Sequence, residues 1–436
     1  MSFPPYEIYK STEYDWLGTI PTSWRTQKFR HLFKESSEKI EGEVFGEMLS
    51  VSGYRGIQRK EYDDENRRRS EEDLVGYRIV RKGQLVVNTM WLNYAGLGFS
   101  ELDGHVSPAY RSYWPKSDEY SKYLHYLLRS EHYVNGYTRL LTGVRPNSLQ
   151  MSRDNMMSFP VVLPPKAEQI AIATFLDRET AKIDALIAEQ KRLIELLQEK
   201  KQAVISHAVT KGLNPDAPMK ESGVEWLGEV PEHWEVKRVR RIFEIKKRIV
   251  GELGFEVLSI TQQGIKVRDP ESNEGQVSMD YSKYQLVNTG DFAMNHMDLL
   301  TGFVDISSRL GVTSPDYRVF SVSRPLESNA EYLLYIFQMG YRQKILYAYG
   351  QGSSQLGRWR LPTEAFKNWS IPFPSREEQI FITLYLDRVT AKIVALITEQ
   401  QRLIELLQER RSALISAAVT GQIDVRGLVE VGASEQ

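Results

Sequence analysis

Two polar loops carry the side chains of this chain best suited to chemistry at a surface: GVRPNSLQMSRDN (143–155) and GQGSSQLGRWR (350–360). Arg, Asn, Gln and Ser pair with the hydrogen-bonding edges of bases, and Arg or Lys neutralises phosphates. Arg145, Asn147, Arg153, Gln351, Ser353, Gln355 and Arg358 are therefore candidate DNA contacts. Basic runs lie nearby, at RGIQRK (55–60), RRR (67–69), RIVRK (78–82) and KRVRRIFEIKKR (237–248). They add Arg55, Arg59, Lys60, Arg67 and Arg68; Lys266 and Arg268 join the set on composition alone. A basic run by itself is usually solvated surface, and 237–248 reads equally as an amphipathic helix with a wet face. Basic clusters in both halves, with loops at matching places, favour DNA.

Covalent chemistry has no comparable signal. FPPY (3–6) resembles the base-stacking motif of an adenine methyltransferase, but Phe3 cannot accept a proton from an exocyclic amine. No glycine loop follows a strand to cradle S-adenosylmethionine, and no GxxxxGK[ST] is present. Pro215-Asp216 and Pro315-Asp316 lack the acidic-x-Lys partner a nuclease needs. No nucleophile and base share a telling spacing. The chain reads as non-catalytic, binding no cofactor and no metal itself.

The elements that must position the loops come in two copies. Residues 170–210 align without gaps on 380–420, with 28 of 41 positions identical and RLIELLQE repeated unchanged at 192–199 and 402–409. Upstream, LPPKAEQI (163–170) mirrors FPSREEQI (373–380), and DWLGTIPTSW (15–24) mirrors EWLGEVPEHW (225–234). Between these anchors only fragments correspond, such as GQLVVN (83–88) with GDFAMN (290–295). One unit is thus spelled twice, with a constant frame and a divergent middle.

The frame predicts two long helices. Apolar residues recur at heptad spacing at Leu176, Ile183, Leu186, Leu193, Leu197 and Val204, and at Leu386, Ile393, Leu396, Leu403, Leu407 and Leu414. Gln190 and Gln400 fall on the same seam, where a polar residue sets register or simply meets solvent. Two-fold pairing predicts antiparallel helices with both chain termini near the first variable domain. The middles contain strands around a turn at 77–88 and 284–295, and helices at 121–137 and 330–349. The expected fold class is α+β: two similar α/β domains separated by a pair of long antiparallel coiled-coil helices. The expected segments are 1–163, 164–210, 211–373, 374–420 and a tail at 421–436.

With 41% hydrophobic and 26% charged residues the composition is that of a soluble globular protein. MSFPPYEIYK has no apolar core of a secretory leader, no run is long enough to span a membrane, and there are no cysteines. A reducing cytoplasm is the expected setting. A net charge of −1 is unusual for a protein that holds DNA unaided, so partners are expected to supply part of the phosphate contact.

The repeated WLG-x₂-P-x₂-W (16–24, 226–234), the junctions LPPKAEQIAIATFLD (163–177) and FPSREEQIFITLYLD (373–387), and the helix ends ISHAVT and ISAAVT together resemble the specificity (S) subunit of type I restriction-modification enzymes. The resemblance spans nearly the whole chain, twice, in the same order. It implies two target-recognition domains, each reading half of a split double-stranded DNA site, and a role in host defence. It also implies two docked modification (methyltransferase) subunits and restriction subunits, which would carry S-adenosylmethionine, ATP and Mg. By the same resemblance Glu168, Gln169, Asp177, Arg178, Glu378, Gln379, Asp387 and Arg388 belong to a conserved packing and docking region. Arg192, Glu195, Arg402 and Glu405 are candidates for docking because they recur on the exposed helix face. A non-catalytic coiled-coil scaffold with two ligand-binding domains, an enzyme acting on DNA alone, and the specificity module of a differently organised restriction system are the alternatives. The paired helices predict that one heptad inserted into both will lengthen the gap in the methylated site while leaving both half-sites unchanged; methylome sequencing showing the old gap would sink this.

Overall fold

The structure, a computed structural model, describes residues 3–53, 56–62, 72–116, 119–143, 149–252, 254–268, 283–353 and 358–428, with the side chains of Ser353 and Arg358 excepted. It divides into two compact units, residues 1–190 with 401–436, and residues 191–400. Each has its own aromatic-rich core.

In the first unit an antiparallel sheet runs in the order Phe33–Glu35, Tyr110–Pro115, Leu85–Asn88, Leu97–Phe99. A second sheet runs Gly56–Arg59, Glu47–Ser52, Gly104–Val106, Arg78–Val80, its central pair parallel. Arg25–Lys28 pairs with Pro160–Leu163, so the chain enters and leaves the domain side by side. The second unit repeats this plan. Its four-stranded sheet runs Phe243–Lys246, Arg318–Val322, Phe292–Met294, Val304–Ile306, and Glu235–Arg238 pairs with Ser370–Phe373. The basic run 237–248 is therefore a strand, a short 3-10 turn (Val239–Arg241) and another strand, not a helix. Its β-branched and aromatic positions Val239, Ile242 and Phe243 are buried, and that sheet-face burial overrides any helical period. The helix expected over 121–137 is two helices, Ser121–Arg129 and Glu131–Thr138, because Ser130 leaves the helical region and caps the second with its hydroxyl.

The long helices span Lys166–Lys211 and Arg376–Val419, about 65–70 Å each at 1.5 Å per residue. Each unit contains the start of one beside the end of the other, running antiparallel. In the first, Ile172, Phe175 and Leu176 share a core with Ala418 and Val419, and Arg411 holds Asp184 bidentately at 2.9 and 3.2 Å. In the second, Ile205, Ala208 and Val209 share a core with Ile382 and Leu386. The expected seam is corrected in its middle: Leu186 and Leu193 are 45% and 40% exposed, whereas Ile187 is 5% exposed. The covered face follows a strict 4-3 alternation through Ile183, Ile187, Gln190, Ile194 and Leu197, and the leucines flank it. Gln190 and Gln400 are half-buried on that face.

A glycine in the left-handed region ends each long helix, Gly212 at φ 78° and Gly421 at φ 75°. Gly421 lies on Pro21 and Trp24, and Gly212 on Trp234, so each repeated Trp seals the end of a helix that began in the other half of the sequence. Both chain ends lie in the first unit, where Asp424 N–H donates to Pro4 O at 2.7 Å.

Four buried groups join helix to domain identically in both units. Gln169 Nε2 donates to Pro164 O and its Oε1 accepts from Tyr120 N–H; Gln379 does the same with Pro374 O and Asn329 N–H. Tyr123 Oη donates to Val162 O and Val419 O, and Tyr332 Oη to Pro372 O and Val209 O. The tyrosines thus reach carbonyls at helix ends that lack an intrahelical partner. Gln379→Ala is expected to strand a buried N–H and carbonyl and cost about 1–3 kcal/mol in the transition of the second unit. Chemical denaturation of the full chain showing that transition unmoved would refute the clamp.

Candidate nucleic-acid interface

Several residues expected to serve in packing and docking take part in the contacts between helix and domain. Gln169 and Gln379 are fully buried, and Glu168 is buried with its carboxylate accepting from Tyr6 Oη and from Trp24 Nε1 at 3.0 Å. Asp177 and Asp387 each accept from a tyrosine of their own domain, Tyr126 and Tyr335, at 2.7 Å. All five hold helix to domain, Glu168, Gln169 and Gln379 from buried positions, while Asp177 is half-buried and Asp387 exposed. Glu378 is half-buried and pairs with His233 at 3.0 Å. Arg178 lies at the surface, donating to Glu179 and to Leu428 O. Arg192 and Glu195 pair at 3.0 Å on the exposed face, and Arg388, Arg402 and Glu405 are also exposed.

In both units the polar hairpin following the domain helices meets the loop that links the last two strands of the four-stranded sheet. In the first, Thr142 and Gln150 bridge, and Met151 N–H donates to Thr89 O in the loop 88–96. In the second, the hairpin Gln351–Ser353 with Arg358–Arg360 meets the loop 295–302 through Leu299 N–H to Trp359 O and Leu361 N–H to His296 O. The loop 88–96 presents two aromatic rings to solvent, Trp91 at 55% and Tyr94 at 62% exposure, with centroids 5.5 Å apart. Exposed aromatics beside a polar hairpin offer a stacking surface for bases. They went unrecognised in the sequence because MWLNYAG has the look of an ordinary half-buried strand end.

The described basic candidates are not gathered into one cluster. Arg59 pairs with Glu47 at 2.6 Å on the edge strand of the second sheet, and Lys60 sits 5.2 Å from the centroid of Tyr62. Arg153 lies by Glu35, beyond the opposite edge of that sheet. Lys266 is exposed and donates to Gln263; Arg268 is half-buried just past the end of the same hairpin, and its backbone N–H donates to Val257 O. Gln351 is exposed in the hairpin of the second unit. Arg55, Arg67, Arg68, Arg145, Asn147 and Gln355, with the side chains of Ser353 and Arg358, lie outside the described residues.

Glu35 is the electrostatic centre of the first domain. Its carboxylate holds Arg153 at 2.8 Å, Arg111 at 3.2 Å and Arg78 at 3.8 Å, with side chains that are largely buried except for that of Arg153. The sequence singled out Arg78 and Arg153 as parts of separate runs; only the sheet brings them to one acid, and Arg111 escaped notice altogether. Among the described residues no group of three His, Asp or Glu side chains could hold a metal ion, and no helix is long and apolar enough to cross a membrane.

No protein-family model matches the chain. It is 22% identical over 336 residues to the type I restriction enzyme EcoBI specificity subunit of Escherichia coli, covering 72% of this chain and 68% of that one. It is 25% identical over 285 residues to the MjaVIII specificity subunit of Methanocaldococcus jannaschii, covering 62% and 63%. The chain thus spans about two thirds of the length of these curated relatives. A chain from a solved structure of a type I R-M system, described for complex assembly and conformational transition, superposes with a TM-score of 0.65 at 14% identity, covering 93% of this chain and 99% of that one. That likeness establishes a shared α+β fold.

Removing the shared carboxylate leaves three guanidinium groups facing one another. Glu35→Gln should destabilise the first unit by about 2 kcal/mol, because breaking a partly buried pair strands its cations. The loss should shrink in high salt, and a denaturation midpoint unchanged at low salt would contradict it.

Proposed function

We propose that this chain is the DNA sequence-specificity subunit of a type I restriction-modification complex. Each variable domain reads one half of a bipartite site, the first within 1–163 and the second within 211–373, and the helices at 164–210 and 374–420 join them. The chain itself is the non-catalytic recognition component. Two modification subunits dock on the frame and methylate adenine with S-adenosylmethionine, and restriction subunits add ATP- and Mg-dependent cleavage, all in the cytoplasm.

The observation that carries this reading is the duplication. One domain plan occurs twice on a shared helical frame, yet the residues at the hairpins and loops differ between copies. Two copies of a reading head with different chemistry suit an asymmetric split site, since base identity is read by side chains at groove edges and register by backbone contacts. The near-neutral charge suits a subunit whose partners supply much of the phosphate neutralisation. The curated homologues are specificity subunits of this enzyme class, which supports the same reading.

The test is reconstitution. The full chain, purified with modification subunits of its host, should retain duplex DNA in a salt-dependent manner and direct adenine methylation to one split sequence. Replacing residues 211–373 by the variable domain of another such subunit should change one half of that sequence only. Failure to retain DNA at low salt, or a change in both halves, overturns the proposal.

A further inference from the structure

The two domains differ at one buried charge. Strand pairing sets Arg111 opposite Val87 and Arg318 opposite Met294, at the same place in the two equivalent sheets. One strand over, the position of Glu35 in the first domain, opposite Tyr113, is taken in the second by Ile245, opposite Phe320. The position of Arg153, at the start of the short helix Arg153–Ser158, is taken by Thr363 at the start of Thr363–Asn368. Arg111 therefore has a carboxylate and Arg318 has none: among the described residues no Asp or Glu forms an ion pair with it.

Arg318 is only 4% exposed. Its guanidinium lies 4.5 Å from the centroid of Phe366, and Nη2 donates to Leu361 O at 3.1 Å and Thr363 Oγ1 at 3.3 Å. Nη1 is buried without a hydrogen-bond acceptor, and so is Nδ1 of His296 without a partner. Both residues line a cleft of about 420 Å³ whose other walls include Arg360, Gln351 and Thr363, with no carboxylate among its lining. Burial pushes Arg318 down to about 10, so it remains a cation near neutrality. Burial and the nearby charge of Arg318 push His296 down to about 3, leaving it neutral. A buried cation with an open donor is costly unless an anion meets it.

We infer that this cleft of the second domain is an anion site for a phosphate group, held by Arg318 Nη1 with Arg360 and His296 at its sides, and that a backbone phosphate of duplex DNA fills it. The identity of the anion rests on the proposed function; the existence of the site does not. The cleft adjoins the hairpin Gln351–Arg360, so a phosphate seated there would fix that hairpin's register on the duplex without reading sequence. In the first domain Glu35 already occupies the equivalent guanidinium, that of Arg111.

Two arms test the inference with the full chain. In the first, inorganic phosphate should raise the thermal midpoint of the wild-type chain and leave that of Arg318→Met unmoved, while Arg318→Lys keeps part of the response. Without phosphate, Arg318→Met should melt no lower than wild type, because an uncompensated charge has been removed. Equal phosphate responses in wild type and Arg318→Met overturn the site. In the second, the complex with modification subunits carrying Arg318→Met should bind its DNA about tenfold or more weaker, with a salt slope lower by about one and the preferred sequence unchanged. Unchanged affinity and slope, with the phosphate response confirmed, would mean a free anion fills the cleft and would overturn the DNA assignment alone. A complex in which even wild type ignores DNA would count against the proposed function instead.

Discussion

Everything in each unit depends on satisfying the ends of helices that lie inside a hydrophobic core. A helix end leaves carbonyls without partners, and here the ends abut a sheet and a tryptophan, where water has no access. Tyr123 and Tyr332 supply the missing donors, and Gln169 and Gln379 close the opposite gap where the domain turns into its outgoing helix. Because the tyrosine of each domain bonds the terminus of one helix and the strand before the other, domain and helices are locked as a single unit. A domain free to swivel on its helix would blur the register of any surface it reads.

That lock explains what varies and what does not. Residues that touch it recur in the same order in both halves, down to the matched 2.7 Å bonds of Tyr126 to Asp177 and Tyr335 to Asp387. Beyond it the copies diverge in charge as well as in shape. The first domain gathers three arginines on Glu35, while the second buries Arg318 against an aromatic ring with no ion pair to an acid among the described residues. Similar scaffolding thus carries different electrostatics in the two domains.

The differences also separate two kinds of surface on the long helices. Gln169 and its repeat Gln379 face inward, whereas Arg192, Glu195, Arg402 and Glu405 face solvent alongside Leu193 and Leu403. The clamp accounts for repetition of the inward residues. Neither packing nor a buried hydrogen bond acts on the outward ones, so the clamp does not account for their repetition.

The repeat was legible in the sequence because the frame is under the same packing demand twice: 28 of 41 aligned positions are identical, and a helix of good formers with a regular apolar period declares itself. Antiparallel pairing and the meeting of the two chain ends followed from connectivity alone. What the sequence left open is set by contacts between distant residues. Heptad counting chose Leu186 and Leu193 where the covered face runs through Ile187 and Ile194, because leucine content does not reveal which side of a helix is shielded. Burial of Glu168, Gln169 and Gln379 was not legible, since a polar side chain looks the same in sequence whether its partner is solvent or Pro164 O. Arg111 and Arg318 escaped altogether: whether an arginine has a counter-ion depends on which residue stands one strand away, and strand neighbours are assigned by the fold, not by adjacency along the chain.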